Sequence, residues 1–206
     1  ALDAPDDAAT FWSNYRTLLG ALAVDAERYG AARLLVGSEL NSLEADPRWP
    51  GLVEHTRARF SGELGYSANW DHYRQVPFWD ALDVVAVTAY FPVDGDPGTR
   101  WSEELVSVGR FAASVDRPWM VSEYGYPALA SAAERPWDET TGAAYDPALQ
   151  HDLLTTAVAA LAASDARASF AWNWFGTGSS DERGFTPRNR PAAAVLERHF
   201  RTRETR

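Results

Sequence analysis

The chain has 206 residues, no cysteine and a formal net charge of −10 at pH 7. This length can bury a large core within one domain, and the lack of cysteine excludes a disulfide framework and thiolate metal sites. The acidic balance argues against nucleic acid and anionic membranes as partners, because both require a basic surface, and no run of about 18 apolar residues predicts a membrane span.

Helices and buried strands alternate along the chain. Apolar periodicity predicts helices over 10–29, 50–60, 101–114, 147–164 and 192–200, and a helical turn over 78–82. Short apolar runs predict strands over 33–37, 65–70, 84–90, 119–123 and 168–174. Strands separated by helices of this length indicate a parallel sheet with right-handed crossovers.

Two parallel folds fit this order, a doubly wound sheet and a TIM (β/α)8 barrel. The doubly wound fold favours a glycine-rich phosphate turn after its first strand, and this sequence has none there. A barrel explains better why polar or aromatic residues stand at four strand ends, because the carboxyl ends of barrel strands form the floor of the active site. These residues are Glu39, Tyr90, Glu123 and Trp174.

Two of the apolar runs that predict strands lead into a glutamate, Glu39 and Glu123. A buried carboxylate without a partner is strongly unfavourable, so stability alone does not explain this placement. Glycoside hydrolysis requires two carboxylates, one as proton donor and one as nucleophile or base, and a retaining reaction requires them about 5–5.5 Å apart. The structural alternatives are that Glu39 caps the turn that follows it and that Glu123 pairs with an arginine.

Other residues near the strand ends are candidates for sugar binding. Tyr90 is placed to donate a hydrogen bond, and Asn69 and Trp70 close the second strand. Trp172 and Trp174 alternate on the last predicted strand and so share a face, where Trp174, nearer the carboxyl end, is favoured as the stacking platform. Core packing is the alternative, expected for about half of the nine tryptophans. No metal-ligand spacing appears, so we predict neither a metal nor a cofactor.

Five segments together carry a family resemblance: 37–40, 78–83, 89–92, 122–126 and 184–187. In order and spacing they resemble landmarks of glycoside hydrolase family 113, β-mannanases of the retaining (β/α)8-barrel clan A. The resemblance implies that Glu39, ending barrel strand four, is the acid/base and that Glu123, ending strand seven, is the nucleophile. It implies an oligosaccharide or polysaccharide substrate. Ser38 departs from the wider clan, which usually has asparagine there to contact the sugar 2-hydroxyl.

The resemblance also implies an incomplete barrel. The five predicted strands would be barrel strands four to eight, and strands one to three of a barrel of about 250 residues have no counterpart. We therefore expect 1–206 to be a single catalytic barrel domain, N-terminally incomplete, that a missing N-terminal segment or a second chain completes.

Two alternatives remain open, and the compartment is not fixed. One alternative is a non-catalytic glycan-binding barrel or inactive relic. The other is a structural barrel module of a larger envelope or phage-tail assembly. A secreted or periplasmic location is slightly favoured over the cytoplasm.

Overall fold

The structure is a computed structural model that describes residues 5–93, 95–179 and 181–203. Its strands are β1 (Arg33–Ser38), β2 (Glu63–Asn69), β3 (Val84–Thr88), β4 (Trp119–Tyr124) and β5 (Ser169–Ala171). Its helices are α1 (Ala8–Arg28), α2 (Trp49–Arg57), α3 (Pro97–Ser114), α4 (Pro147–Ala163) and α5 (Pro191–Arg203), with 3-10 turns at Asn41–Leu43 and Trp79–Ala81. The predicted alternation of strands and helices is confirmed.

The strands form a parallel sheet in chain order, β1-β2-β3-β4-β5. β1 pairs with β2 from Arg33 opposite Glu63, and β2 pairs with β3 from Gly65 opposite Val84. β4 pairs with β5, where Val121 lies opposite Ser169. Helices α2, α3 and α4 lie between consecutive strands, while α1 precedes β1 and α5 follows β5. Because the pairs β1–β2, β2–β3 and β4–β5 are parallel, the carboxyl ends of the paired strands lie at the same edge.

The chain divides into two compact units. The first extends to Thr88 and includes Phe111–Met120, and the second comprises Ala89–Arg110 and Val121–Arg206. The first unit therefore holds β1, β2 and β3, and the second holds β5. β4 contributes its first two residues to the first unit and the rest to the second.

An aromatic cluster forms the core of the first unit. The rings of Trp49 and Phe78 stack with their centroids 4.7 Å apart, and Trp12 of α1 packs edge-on against Trp49 at 5.1 Å. α1 begins where Asp7 accepts a hydrogen bond from the backbone N–H of Thr10 at 3.0 Å, an N-cap that satisfies a free amide of the first turn. The packing of Trp12 joins α1 to this cluster.

The second unit has its own core around α3 and α4. Trp101 is fully buried, and its indole N–H donates to the hydroxyl of Tyr126 at 2.7 Å. Burial raises the pKa of Tyr126. The buried amide of Gln150 on α4 donates to the carbonyls of Tyr126 and Phe185 at 2.8 and 3.0 Å, which joins two loops that follow sheet strands.

Two predictions about aromatic residues have different outcomes. Five of the nine tryptophans are buried, as expected, and they are Trp12, Trp49, Trp79, Trp101 and Trp119. The last strand, predicted over 168–174, is shorter than expected and ends at Ala171. Beyond it, the N–H of Trp172 donates to the carbonyl of Tyr124 at 2.8 Å. Among the described residues, no helix has both the length and the apolar character needed to cross a bilayer.

Candidate functional site

Glu39 follows β1 in an unusual backbone conformation. Its φ is 54°, in the left-handed region, which for a residue other than glycine costs about 1–3 kcal/mol. Its own N–H donates to the carbonyl of Ser67 on β2 at 2.8 Å. The next N–H, of Leu40, donates to the hydroxyl of Tyr66 at 2.9 Å. These two bonds on either side of Glu39 hold the strained conformation in place.

The carboxylate of Glu39 is half-buried and contacts the end of β3. Its Oε1 accepts a hydrogen bond from the Thr88 hydroxyl at 2.6 Å, and the Oδ1 of Asn69 lies 3.2 Å from the same hydroxyl. The 3-10 turn Asn41–Leu43 has no side-chain capping bond. The alternative that Glu39 caps this turn is therefore wrong, since its carboxylate bonds to a neighbouring strand.

A buried carboxylate supports the Tyr66 hydroxyl that holds the Glu39 backbone. Glu44 is 3% exposed and accepts from Tyr66 at 3.0 Å, while His72 Nδ1 lies 3.5 Å from its other oxygen. Burial raises the pKa of Glu44, against the opposing effect of these hydrogen bonds. Burial, with the Glu44 carboxylate beside it, also raises the pKa of Tyr66. No sequence pattern indicates this group, because Glu44 lies in a loop far from Tyr66 in the chain.

Glu123 lies on β4 and is held by a different hydroxyl. The Tyr90 hydroxyl donates to its Oε2 at 2.9 Å, and the Tyr90 ring is 7% exposed, two residues beyond the end of β3. The ring packs edge-on against Phe185, with centroids 5.9 Å apart. Tyr90 is thus a hydrogen-bond donor to a carboxylate, in agreement with the geometry expected for it.

Trp172 and Trp174 do not share a strand face, so that part of the sequence interpretation is wrong. The strand ends at Ala171, before either residue, and the two tryptophans are 42% and 54% exposed. Neither packs lower in the core, as one of them was expected to do. Gly125 allows the chain to pass this close, because a Cβ there would lie 2.0 Å from the carbonyl oxygen of Trp172.

The remaining predicted residues occupy varied positions. Ser38 ends β1 and is exposed, while Asn69 and Trp70, at the end of β2, are half-buried. Thr88 was missed by the sequence interpretation, which treated it as part of an apolar strand. The sequence shows only a hydroxyl residue within an otherwise apolar run, which does not reveal the contact that it makes. Among the described residues, no three His, Asp or Glu side chains are grouped closely enough to hold a metal ion.

An apolar groove of about 780 Å³ lies along β5 and α5. Phe170 on β5 is 53% exposed and Phe200 on α5 is 41% exposed, an unusual exposure for large aromatic residues. The lining residues are Ser169, Phe170, Ala171, Asn173, Trp174, Arg188, Asn189, Ala193, Leu196, Glu197 and Phe200. This groove marks the last strand of the sheet as an open, apolar surface.

Comparisons with known proteins identify similar sequences and folds. The family described as Glycoside Hydrolase Family 113 matches residues 3–184. A GH113 β-1,4-mannanase, solved as a complex, is 20% identical over 98% of this chain and 66% of its own, with a TM-score of 0.86. The GH113 β-mannanase AaManA from Alicyclobacillus acidocaldarius, in complex with ManMIm, is 22% identical over 97% of this chain and 65% of its own, with a TM-score of 0.83.

A more distant structure, the β-glucuronidase of Faecalibacterium prausnitzii, is 17% identical over 92% of this chain and 35% of its own, with a TM-score of 0.66. No curated protein sequence matches the chain. The chain spans 66% of the length of the first mannanase. These likenesses confirm the predicted fold, a (β/α)8 barrel of which this chain carries five strands.

Proposed function

Because the chain belongs to glycoside hydrolase family 113, we propose that it carries the catalytic glutamates of a retaining glycosidase that cleaves β-mannan-like glycans. One observation supports this most directly. Two strands of the sheet have a half-buried glutamate near their carboxyl ends, and each carboxylate accepts a hydrogen bond from a hydroxyl. Glu39, directly after β1, accepts from Thr88, and Glu123, the second-last residue of β4, accepts from Tyr90. A pair of carboxylates at the carboxyl ends of barrel strands suits glycosyl transfer to water.

In the first proposed step, ionised Glu123 attacks the anomeric carbon and forms a covalent glycosyl-enzyme. The bond to the leaving oxygen breaks as that oxygen takes a proton from the carboxylic acid of Glu39. Tyr90 donates to Oε2 of Glu123 at 2.9 Å, which helps to orient the carboxylate for attack. The separation of about 5–5.5 Å between the two carboxyl groups stays a prediction.

In the second step, water replaces the enzyme at the anomeric carbon. Glu39, now a carboxylate, takes a proton from the water as the oxygen attacks, and the bond to Glu123 breaks. Both groups then return to their starting protonation states. Each residue needs a fixed orientation through the two steps, which a hydrogen bond to one carboxylate oxygen supplies.

Sugar binding is proposed for the residues around these glutamates. Exposed indole rings offer flat apolar faces to sugar rings, which suits Trp172 and Trp174 at 42% and 54% exposure. Ser38, Asn69 and Trp70 close the ends of β1 and β2, where they offer polar and aromatic contacts to a neutral glycan. The acidic surface does not oppose a substrate that carries no charge.

We also propose that residues 1–206 form one N-terminally incomplete barrel domain. Support comes from the greater length of the mannanases and from the apolar groove along β5, which suits a neighbouring strand and helix. Barrel strands one to three would come from a preceding segment or from a second chain. Activity is therefore to be measured on the complete polypeptide, including any segment that precedes residue 1.

The proposal is tested by two substitutions and two kinds of substrate. Glu123→Gln should reduce hydrolysis of β-mannan and of aryl β-mannosides to background. Glu39→Ala should lose about 10²–10⁴-fold on β-mannan, because its leaving oxygen needs the proton. It should lose far less on an aryl mannoside with an acidic leaving group. Glu103→Gln, at an exposed position on α3, is the matched control and should keep wild-type rates.

Three results would contradict parts of this proposal. Equal losses on both substrates would exclude Glu39 as the acid. Inversion of the anomeric configuration, followed by NMR of the first product, would exclude the covalent intermediate. Tight mannan binding without any hydrolysis by the wild-type protein would favour the non-catalytic glycan-binding alternative.

A further inference from the structure

We propose that Thr88 is a positioning residue for the acid/base, and that its hydroxyl fixes Oε1 of Glu39 so that the transferable proton is carried by Oε2. The inference rests on the proposed function, because it assigns a role beside Glu39. Thr88 is the last residue of β3 and is fully buried, and its Oγ1 lies 2.6 Å from Glu39 Oε1. It therefore acts through Glu39 and not through the sugar.

The hydroxyl proton of Thr88 has three possible acceptors among the described residues. They are Glu39 Oε1 at 2.6 Å, Asn69 Oδ1 at 3.2 Å and the carbonyl of Ala68 at 3.5 Å. A hydroxyl has one proton, and a hydrogen bond to a carboxylate is shorter and stronger than one to a neutral oxygen. The distances therefore indicate that the Thr88 hydroxyl donates its hydrogen bond to Glu39. The two neutral oxygens are weaker acceptors.

The backbone around this contact is fixed from both sides. Hydrogen bonds to Ser67 and Tyr66 hold Glu39 at a φ of 54°, so the remaining freedom of Glu39 is in its side-chain torsions. Thr88 is β-branched and therefore stiff at χ1, and it pairs opposite Asn69 in the parallel ladder. A stiff donor on one strand and a clamped acceptor on another set the direction of the carboxyl group.

This arrangement suits both protonation states of an acid/base. When Glu39 is ionised, Oε1 accepts from Thr88 as a carboxylate oxygen. When Glu39 is protonated, Oε1 can still accept as the carbonyl oxygen, and the proton resides on Oε2. The same oxygen, Oε2, then gives the proton to the leaving group and takes the proton from water, without a rotation of the carboxyl group between the two steps.

The test compares Thr88→Val, which keeps the shape and removes the hydroxyl, with Thr88→Ser, which keeps the hydroxyl. In the complete polypeptide, Thr88→Val should lower kcat on β-mannan about 10–100-fold, the range typical of a lost hydrogen bond to a charged group. KM should stay within about twofold, since the change removes orientation and not substrate contact. The loss should nearly vanish on an aryl mannoside with an acidic leaving group, and Thr88→Ser should restore most of kcat.

A buried threonine elsewhere in the same unit supplies the control. Thr56 on α2 is fully buried, and its hydroxyl donates within its own helix, to the carbonyl of Leu52 at 2.8 Å. Thr56→Val should leave kcat unchanged on both substrates. Equal losses for Thr88→Val on both substrates, or no rescue by Thr88→Ser, would overturn the positioning role while leaving the glycosidase proposal intact. An inactive wild-type protein would instead contradict the proposed function itself.

A second readout does not depend on activity. Thermal unfolding of the wild type, Thr88→Val, Glu39→Ala and the double variant measures whether the two side chains are coupled. The loss of Tm caused by Thr88→Val should be smaller when Glu39 is already alanine, because the hydroxyl then has no carboxylate to bind. Equal losses in the two backgrounds would overturn the proposed contact whatever the kinetics show.

Discussion

Strands β2 and β5 belong to the same sheet, but the chain covers them differently. β2 pairs with β1 on one side and β3 on the other, and its five central residues are buried. Among the described residues, β5 pairs with β4 alone, and its central residue, Phe170, is 53% exposed beside the apolar groove. The difference shows that a strand is buried where the chain supplies a neighbour on each side, and that a large aromatic residue stays exposed where it supplies one neighbour.

The largest effect expected from this difference concerns the chain as a whole. An open apolar strand edge leaves backbone groups without ladder partners and favours association. We expect residues 1–206 alone to be marginally stable, insoluble or associated, and to become monomeric and active when barrel strands one to three are supplied. Circular dichroism and size-exclusion chromatography of both forms measure this. A cooperative, monomeric unfolding transition with hydrolase activity in the shorter form would contradict the expectation.

A smaller effect concerns single residues of the two strands. In the complete polypeptide, Leu64→Ala on β2 should lower the free energy of unfolding by about 2–5 kcal/mol, since Leu64 is fully buried. Phe170→Ala should cost about 3–5 kcal/mol in the same protein, because the completed sheet would bury that ring. Phe175, 78% exposed, is the matched control, and its substitution by alanine should cost little.

Urea unfolding of the three variants measures these differences. A cost for Phe170→Ala as small as that for Phe175→Ala would mean that β5 stays open in the complete protein. In that case β5 would be an edge strand of the complete protein, and the prediction that a further strand covers it would be wrong.

The smallest effect is a pH dependence of the stability, and it concerns Glu44, whose carboxyl accepts a hydrogen bond from Tyr66 of β2. Burial raises the pKa of this carboxyl, so the folded state binds more protons than the unfolded state. Protonation of Glu44 therefore stabilises the folded state below the ordinary carboxyl pKa. This contribution is lost as the pH rises through the higher pKa that Glu44 has in the folded state. Glu44→Gln keeps an acceptor for Tyr66 and removes the titration.

Thermal unfolding of Glu44→Gln and the wild type from about pH 4 to pH 7 tests this sign. The difference in Tm should move in favour of the glutamine variant as pH rises. His72 and Asp71 also face this carboxyl, so a His72→Gln background separates the contribution of the histidine. A difference that is constant with pH would contradict the raised pKa.

The predictable part of the fold follows from burial on both faces. Strands such as β3, whose five residues are all buried, appear in the sequence as continuous apolar runs, and a glutamate or tyrosine after such a run is conspicuous. Glu39, Glu123 and Tyr90 are identified this way. The role of Thr88 was not predicted, because it depends on a contact between residues that are distant in the sequence. The bond between Thr88 and Glu39 joins residues 49 positions apart, and no local pattern distinguishes the contact that this threonine makes.

The left-handed backbone of Glu39 bears on which substitutions the fold itself would favour at this position. Glycine or asparagine adopts φ near 54° with little strain, so either would stabilise the fold at this position at the expense of the carboxylate. A barrel released from selection for catalysis would drift toward such a residue, because that change relieves strain. The strain of about 1–3 kcal/mol at Glu39 is therefore a cost in stability that accompanies a carboxylate at this position.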